Sequence, residues 1–356
     1  MGREKMKPNI QIAGRTIGPG SPPYVIAELS ANHNGNLETA LRIIEEAKKA
    51  GADAVKLQTY KPDTITLNCQ DKDFRIEGGL WDGRVLYDLY NEAHMPWEWH
   101  ANLFEHAKEV GITIFSTPFD STAVDLLEDL NTPAYKIASF EAIDLPLIKY
   151  VASTGKPMII STGMADAEEI QEAIDAAREG GCEELAILHC VSGYPAPASD
   201  YNLATIPDMI KRFGLATGLS DHTLDNATAI ASVALGATII EKHFTLDRSG
   251  GGSDDSFSLE PKELSDLCRD ARTAWGALGS VKYSLKDSEK DNVPFRRSLY
   301  FVKDLVAGEL ITKDAVRSVR PGYGVAPKYF DEVVGSIVVA DVKKNTAVQW
   351  DFVSKR

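Results

Sequence analysis

Cysteine is scarce: 356 residues hold four, Cys69, Cys182, Cys190 and Cys268, with no CxxC pair among them. Neither a disulfide framework nor a structural zinc site is suggested, and the four read as ordinary thiols. Long apolar runs are missing as well. No stretch approaches the roughly 18 residues that a spanning helix needs, and the opening MGREKMKPNIQ has no apolar block of the kind a secretion signal carries. A cytoplasmic protein with no membrane partner is expected. Positive charge is short: 38 Lys and Arg stand against 52 Asp and Glu, for a net charge of -14. Nucleic acid is disfavoured as a partner, because its phosphates demand a basic footprint. An anionic ligand must therefore find cations gathered locally inside a site. A Gly-rich GxGxxG is also absent, which removes the usual sign of a dinucleotide-binding sheet.

What is present is a regular alternation. Hydrophobic residues make up 44% and charged residues 25%, the balance of a folded globular chain, and the length suggests one large domain plus a small one. Short β-branched or apolar runs recur: YVIAEL (24–29), AVKLQTY (54–60), TIFSTPF (113–119), AYKIAS (134–139), MIISTG (158–163), LAILHCV (185–191), ATGLSD (216–221) and TIIEKHF (238–244). Each is followed by a segment of helical periodicity. NLETALRIIEEAKKAG closes on a glycine, and ADAEEIQEAIDAAREGG carries acids early and arginine late, as the helix dipole favours. Eight such alternations, ending in the helix PKELSDLCRDARTAWGALG, predict an α/β fold, a closed (β/α)8 TIM barrel rather than an open sheet.

Three stretches lie outside the alternation. IQIAGRTIGPGSPP, before the first run, reads as a small hairpin plugging the barrel bottom. An insertion over 61–96, containing GGLWDGRVLYDLYNEAHMPWEW, follows the second strand; connections of that length are uncommon and often functional. Beyond a polar linker around SLKDSEKDN, the runs RRSLYFV, GSIVVA and AVQWDFV suggest a compact β-rich domain of about sixty residues. The expected division is a barrel with its hairpin over 1–282, a linker over 283–294 and the β-rich domain over 295–356.

Active sites of such barrels lie at the C-terminal ends of the strands. Those ends read Glu28, Lys56 with Gln58, Ser116 with Thr117, Lys136 with Ser139, Ser161 with Thr162, His189 with Ser192 and Tyr194, Ser220 with His222, and Glu241 with His243. A single Ser or Thr there can simply be approaching solvent. Two lysines, two glutamates and two histidines converging on one mouth are costly to bury unpaired, so a charged ligand or a metal is the economical explanation. His222 and His243 end consecutive strands, which sets their imidazoles side by side. Such a pair suits a divalent metal, Mn2+ first and Mg2+ or Co2+ as alternatives; hydrogen-bonded core histidines are the plain alternative. Alternation places Glu241 on the face of His243 and turns Lys242 outward as a structural residue. His189 reads as a core histidine, as do His94, His100 and His106 on the loop and surface helix, while His33 and Asn32, in the loop after the first strand, could reach the site but need not. Lys56 and Lys136, with Thr117, Ser139, Ser161 and Ser192, have the chemistry of a phosphate or phosphate-carboxylate pocket. Either lysine could instead form a Schiff base.

The motifs AELSANHNG, KLQTY, FSTPF, YKIASFE, ISTGM, LHCVSGYPAP, GLSDHT and EKHFTLDR, in this order, resemble the sialic acid synthase family, which condenses phosphoenolpyruvate with an N-acetylated amino sugar. In the tail, RRSLY, AGEL and VRPGYG are similar to the family's antifreeze-like (SAF) domain. The chain departs from sialic acid synthases proper in carrying Ser192 where their HCxNxYP motif has asparagine, and GGGSDDSFSLEP in place of a GPDH-like loop. With the aromatic insertion, these features look most like the pseudaminic acid synthase branch, whose acceptor is 2,4-diacetamido-2,4,6-trideoxy-altrose; the legionaminic acid branch is the near competitor. Trp81 and Tyr87 of the insertion then either contact the sugar or pack the loop down.

The resemblance implies roles for these positions. Lys56, Thr117, Lys136, Ser139 and Ser161 match positions that hold phosphoenolpyruvate, with Ser192 replacing the family asparagine. His222 and His243 match the metal ligands. Glu28 matches an acid beside the reacting centre, and Glu241 is the second catalytic candidate. Gln58 and Tyr194 fall near the substrates, and Asp254 matches an aspartate on the open-chain sugar. Arg320 matches an arginine that the antifreeze-like domain of one subunit offers to the sugar bound by the other, in a domain-swapped homodimer. The implied chemistry is attack of the enolpyruvate C3 on the sugar aldehyde, water addition at C2 and loss of phosphate by C–O cleavage. Two rivals stay open: a Schiff-base pyruvate aldolase using Lys136 or Lys56, and a non-catalytic sugar-binding protein.

Overall fold

A computed structural model describes residues 8–354. Strands β1 (Ile10–Ile12) and β2 (Arg15–Ile17) pair antiparallel as a hairpin. The barrel strands are β3 (Tyr24–Glu28), β4 (Ala54–Thr59), β5 (Thr113–Pro118), β6 (Tyr135–Ile137), β7 (Met158–Ser161), β8 (Leu185–Cys190), β9 (Ala216–Asp221) and β10 (Ile239–His243). They close in chain order, with β10 hydrogen-bonded to β3, and each lies inside its expected run. Between them the helices begin and end where local chemistry directs. In Leu37–Ala50, Asn36 accepts from the Thr39 N–H at the start, and Gly51 closes the end at φ 93°, a left-handed conformation that costs glycine no Cβ clash. No helix among the described residues is long and apolar enough to cross a membrane.

Alternation along the strands sorts the interior into two storeys. The inward positions at the N-terminal ends are apolar: Tyr24, Ile26, Ala54, Phe115, Ile159, Ala186, Leu188, Ala216 and Ile239 form one buried cluster with Ile10, Ile12 and Ile17 of the hairpin. The hairpin therefore does plug the barrel bottom. Gly218 allows the strands to close there, because a Cβ would stand 2.4 Å from the Ile239 carbonyl oxygen. Further along seven of the eight strands the inward side chains turn polar, Glu28, Lys56, Thr117, Lys136, Ser161, Ser220 and Glu241, all buried, while β8 ends on the buried thiol Cys190. That switch positions the site on a closed apolar floor.

Outward positions pack on the helices. Lys242 is on this face, as expected, and is fully enclosed: its ammonium pairs with Asp221 Oδ2 at 2.9 Å and donates to the carbonyls of Thr223 (2.8 Å) and Asp225 (2.6 Å). The pair ties β9 to β10 directly behind the two histidines. His100, assigned to a surface helix, is buried, bonded through Nε2 to Thr59 Oγ1 at 2.9 Å; it lies at the helix start, where the strand passes beneath. His189 is bonded to the Tyr201 carbonyl. His33 accepts from the Gly35 N–H at 3.0 Å, and Asn32 donates to the Phe244 carbonyl and to Ser258, so both brace loops at the mouth.

The chain divides into two compact units, the second beginning at Ser280. It opens with a run of tight turns over Asp287–Phe295. Strands β11 (Ser298–Phe301) and β12 (Val316–Val319) pair antiparallel around a core of Leu299, Phe301, Ile311, Val333, Val338 and Val348. GSIVVA and AVQWDFV contribute single bridges, Leu310 to Ile337, Tyr300 to Ala347 and Val338 to Val353, rather than ladders. Burial alternates through GSIVVA, where Ser336 and Val338 are buried and Ile337 and Val339 exposed, but not through AVQWDFV, where only Val348 and Val353 are buried and Trp350–Phe352 form a tight turn; each segment meets a different neighbour at each bridge.

Candidate active site

The polar storey is one connected network. Lys56 Nζ stands 2.6 Å from Glu28 Oε2 and 3.8 Å from Glu241 Oε1, and Lys136 Nζ is 3.6 Å from the same Glu241 oxygen. All four are at least 94% buried. Two carboxylates and two ammoniums alternate, so the cavity balances its own charge, the condition under which buried ions are tolerable. Hydroxyls extend the chain: Lys56 donates to Thr117 at 3.1 Å, Lys136 to Ser161 at 2.7 Å, and Ser220 donates to Glu241 at 3.4 Å. Gln58 Nε2 donates both to Glu28 and to Ser30, each at 3.0 Å, and Ser30 continues to Asp254 Oδ2.

Burial and pairing set the protonation tendencies. Burial pushes the Glu28 carboxyl up, with Lys56 opposing. Burial would raise Glu241 too, but Lys136, Lys56 and His222 hold it below the usual carboxylate range. For Lys56 the desolvation that favours the free amine is overcome by Glu241 and Glu28, so its pKa rises. Lys136 goes the other way: burial lowers it and Glu241 offsets only part. Asp254 is pushed up by burial against its bond from Ser30.

Ser139 and Ser192 meet at Gly163. The Gly163 N–H donates to Ser139 Oγ at 3.2 Å, and a Cβ added to Gly163 would stand 2.3 Å from Ser192 Oγ and 2.8 Å from Ser139 Oγ. Ser192 Oγ is buried without a hydrogen-bond partner. A glycine that admits two hydroxyls beside Lys136, one of them unengaged, is a cradle for a multivalent anion.

The two imidazoles lie with ring centroids 5.5 Å apart. His222 Nδ1 is bonded to the Val191 carbonyl at 2.8 Å, which orients the ring and leaves Nε2 as its free nitrogen. Burial pushes its pKa down to about 4 and holds His243 well below the ordinary value, with His222 adding to the effect. His243 Nδ1 is 3.8 Å from Asp254 and has no hydrogen-bond partner, nor has Glu241 Oε2. Among the described residues no three His, Cys, Asp or Glu side chains gather as a ligand set. Two neutral imidazoles with an orphaned ring nitrogen fit a divalent cation that takes its other positions from oxygen ligands.

Loops from three strands close the mouth. Tyr194 lies 4.4 Å from His222, Phe257 4.9 Å from His243, and Trp81 of the insertion reaches Tyr194 at 5.8 Å, ring centre to ring centre. The Trp81 indole donates to the Ser253 carbonyl at 3.2 Å. Tyr87, the other aromatic singled out in the insertion, hydrogen-bonds to Asp63 within the insertion itself. Arg320 is in the second unit, lining a surface pocket with Asn292, Phe295, Arg296 and Arg297.

Three residues of the site had no place in the sequence-based expectation: Ser30, Glu141 and Cys190. Burial pushes the Glu141 carboxyl up to about 7, and its Oε2 has no partner. The Cys190 thiol, raised by burial, touches Ser139 and Ser220. Cys190 is the last residue of its strand, where the inward period was the available signal; Ser30, in a turn at φ 47°, and Glu141, in the tight turn Ser139–Glu141, lie beyond the strands, where that period no longer applies.

Known proteins resemble this chain over most of its length. The NeuB family model matches residues 43–283 and the SAF domain model residues 296–354. The pseudaminic acid synthase of Campylobacter jejuni is 45% identical over 330 residues, covering 92% of this chain and 96% of that protein. The N,N'-diacetyllegionaminic acid synthase of Legionella pneumophila is 36% identical, covering 93% and 94%. The crystal structure of an N-acetylneuraminic acid synthetase from Leptospira borgpetersenii, in complex with citrate, superposes with a TM-score of 0.72 at 32% identity, covering 82% of this chain and 97% of that one. The chain belongs to the NeuB family.

Proposed function

We propose that this protein condenses phosphoenolpyruvate with 2,4-diacetamido-2,4,6-trideoxy-altrose, the pseudaminic acid synthase reaction, to give a nine-carbon 2-keto sugar acid and phosphate. The observation that carries the reading is the alternating buried array Glu28–Lys56–Glu241–Lys136, bordered by hydroxyls and set beside an imidazole pair. The higher identity to a pseudaminic than to a legionaminic synthase, 45% against 36%, supports the acceptor.

Phosphoenolpyruvate is held by Lys56, Lys136, Thr117, Ser139, Ser161 and Ser192, with Glu241 keeping both ammoniums aimed at the cavity. Charge-assisted bonds from several directions suit its phosphate and carboxylate. Gln58, Tyr194 and Asp254 orient the open-chain sugar so that its C1 faces the enolpyruvate C3, which supplies the proximity term. His222 and His243 would hold a divalent metal, manganese first, and such an ion would supply Lewis acidity for the aldehyde. As the C1–C3 bond forms, positive charge develops at C2. Glu28, fixed by Gln58 and Lys56, takes a proton from the water that adds there. The C2–O bond to phosphate then breaks and the remaining hydroxyl at C2 becomes the keto group; its proton leaves with the phosphate, and the proton taken by Glu28 ends on the former aldehyde oxygen, now a hydroxyl.

We place Arg320 against the sugar of a partner subunit in a domain-swapped dimer. The segment after the barrel leaves Val281 92% and Tyr283 fully exposed, and Phe140, Ile143, Met164 and Leu224 stand exposed after the barrel strands. Apolar groups in such numbers suit a covered surface.

The test is to offer the purified protein phosphoenolpyruvate with the altrose compound, its legionaminic counterpart and N-acetylmannosamine, and follow phosphate release. Preference for the altrose compound is expected. A clear preference for either other sugar overturns the acceptor assignment, and inactivation by pyruvate with borohydride, without need of metal, would point to the Schiff-base rival.

A further inference from the structure

The mouth has two unlike sides. On one, Asp254, Ser30 and Gln58 form a hydrogen-bonded row leading to Glu28. On the other, aromatic rings run outward from the imidazoles: Tyr194 against His222, Phe257 against His243 and 5.4 Å from Tyr194, then Trp81 at 5.8 Å from Tyr194 and 6.4 Å from Phe257. Trp81 is the outermost member, and its one polar atom is engaged by the Ser253 carbonyl. Phe257 has none. A hydroxyl placed against this end of the wall would lose water and gain no partner.

Placed with its aldehyde at the imidazole pair and its C2 to C4 substituents along the polar row, an open-chain hexose would direct its last carbon, five bonds away, toward the outer end of the aromatic run. We propose that Trp81 is the residue that selects acceptors ending in a C6 methyl group over those ending in a C6 hydroxymethyl. The inference rests on the condensing reaction proposed above. It gives the insertion a specific role, in which the indole supplies a flat apolar stop for the methyl and its bond to Ser253 keeps that stop in place.

Apolar pockets reject a hydroxylated isostere by up to about 100-fold. The experiment compares kcat/KM for 2,4-diacetamido-2,4,6-trideoxy-altrose and for its 6-hydroxy counterpart, by phosphate release with phosphoenolpyruvate, in the wild-type protein, Trp81→Ala and Trp81→Phe. The wild type should prefer the 6-deoxy sugar about 10- to 100-fold. Trp81→Ala should bring the two acceptors close to parity, chiefly by losing rate on the 6-deoxy sugar. Trp81→Phe, which keeps an aromatic face but not the indole N–H, should retain most of the preference. A ratio between acceptors is insensitive to a general loss of active protein. An unchanged ratio in Trp81→Ala, with wild-type turnover on the 6-deoxy sugar, overturns the inference and leaves the condensing reaction standing. Equal collapse in Trp81→Phe overturns it in favour of a loop latch. Absence of phosphate release from both sugars in the wild type overturns the reaction and the inference together.

Discussion

Gly163→Ala tests the anion cradle at its narrowest point. The new Cβ would stand 2.3 Å from Ser192 Oγ, 2.8 Å from Ser139 Oγ and 3.1 Å from Ser139 Cβ. Such separations are well inside van der Waals contact, so both hydroxyls must turn or the β6 and β8 loops must part. Each hydroxyl that no longer reaches a charged phosphate oxygen removes about 1.5–3 kcal/mol of binding. With 1.4 kcal/mol per factor of ten, loss of one such bond raises KM for phosphoenolpyruvate by about 10- to 100-fold, and loss of both by at least about 100-fold. Overpacking costs about 1–3 kcal/mol of stability, which a barrel of this size survives. Initial rates of phosphate release, titrated in phosphoenolpyruvate at saturating acceptor, read the effect, and a thermal melt checks the fold. KM for the acceptor should move far less. Adding Ser192→Ala to the glycine variant removes the atom in nearest contact and should recover part of the affinity through Ser139. A folded Gly163→Ala protein with wild-type KM for phosphoenolpyruvate would refute the cradle.

Three further outcomes are expected. His243→Ala should lose divalent metal and turnover while keeping the barrel's far-ultraviolet dichroism, and EDTA should silence the wild type with recovery on adding Mn2+; full activity in metal-free protein would sink the imidazole assignment. Mixing two inactive variants, His243→Ala and Arg320→Ala, should restore about a quarter of wild-type activity if subunits exchange freely, since half of the dimers are mixed and each contains one intact site; no recovery from demonstrably mixed dimers refutes the swapped arrangement. His33 and His100 have pKa values pushed down to about 4 by burial, whereas an unfolded imidazole titrates near 6.5. Between those values the unfolded chain binds more protons, so stability falls as pH falls, by about 2 kcal/mol per histidine from pH 7 to pH 5. Urea unfolding at the two pH values measures the loss, His100→Gln should reduce it by its own share, and a pH-independent unfolding free energy would refute the linkage.

The barrel and its polar storey were legible because one period governs both. Strand residues alternate between helices and interior, and in a closed barrel the interior positions nearest the C-terminal ends converge on one space. Glu28, Lys56, Lys136, Ser161, Glu241 and His243 stood out as polar residues at strand ends, with parity setting Glu241 and His243 apart from Lys242, and the structure brings them together. Parity also separates chemically equal side chains. Lys56 and Lys242 are both buried; the first is an inward position facing two carboxylates, the second an outward one sealed by Asp221 and two carbonyls. What parity cannot reach is loop closure. Trp81 meets Ser253 across 172 positions, with no repeat to register the pair, and nothing in GGLWDGRVLYDLY tells Trp81, which turns to the mouth, from Tyr87, which turns to Asp63. In the second unit Val338 is buried between exposed Ile337 and Val339, and three apolar residues in a row offered no parity to single it out or to name the residue that would bridge it. Residues that hold charge and reacting groups are thus fixed to the strand lattice, where shifting one by a single position would turn it out of the cavity. Residues that read the variable end of a substrate are carried on loops, free to change without disturbing that lattice.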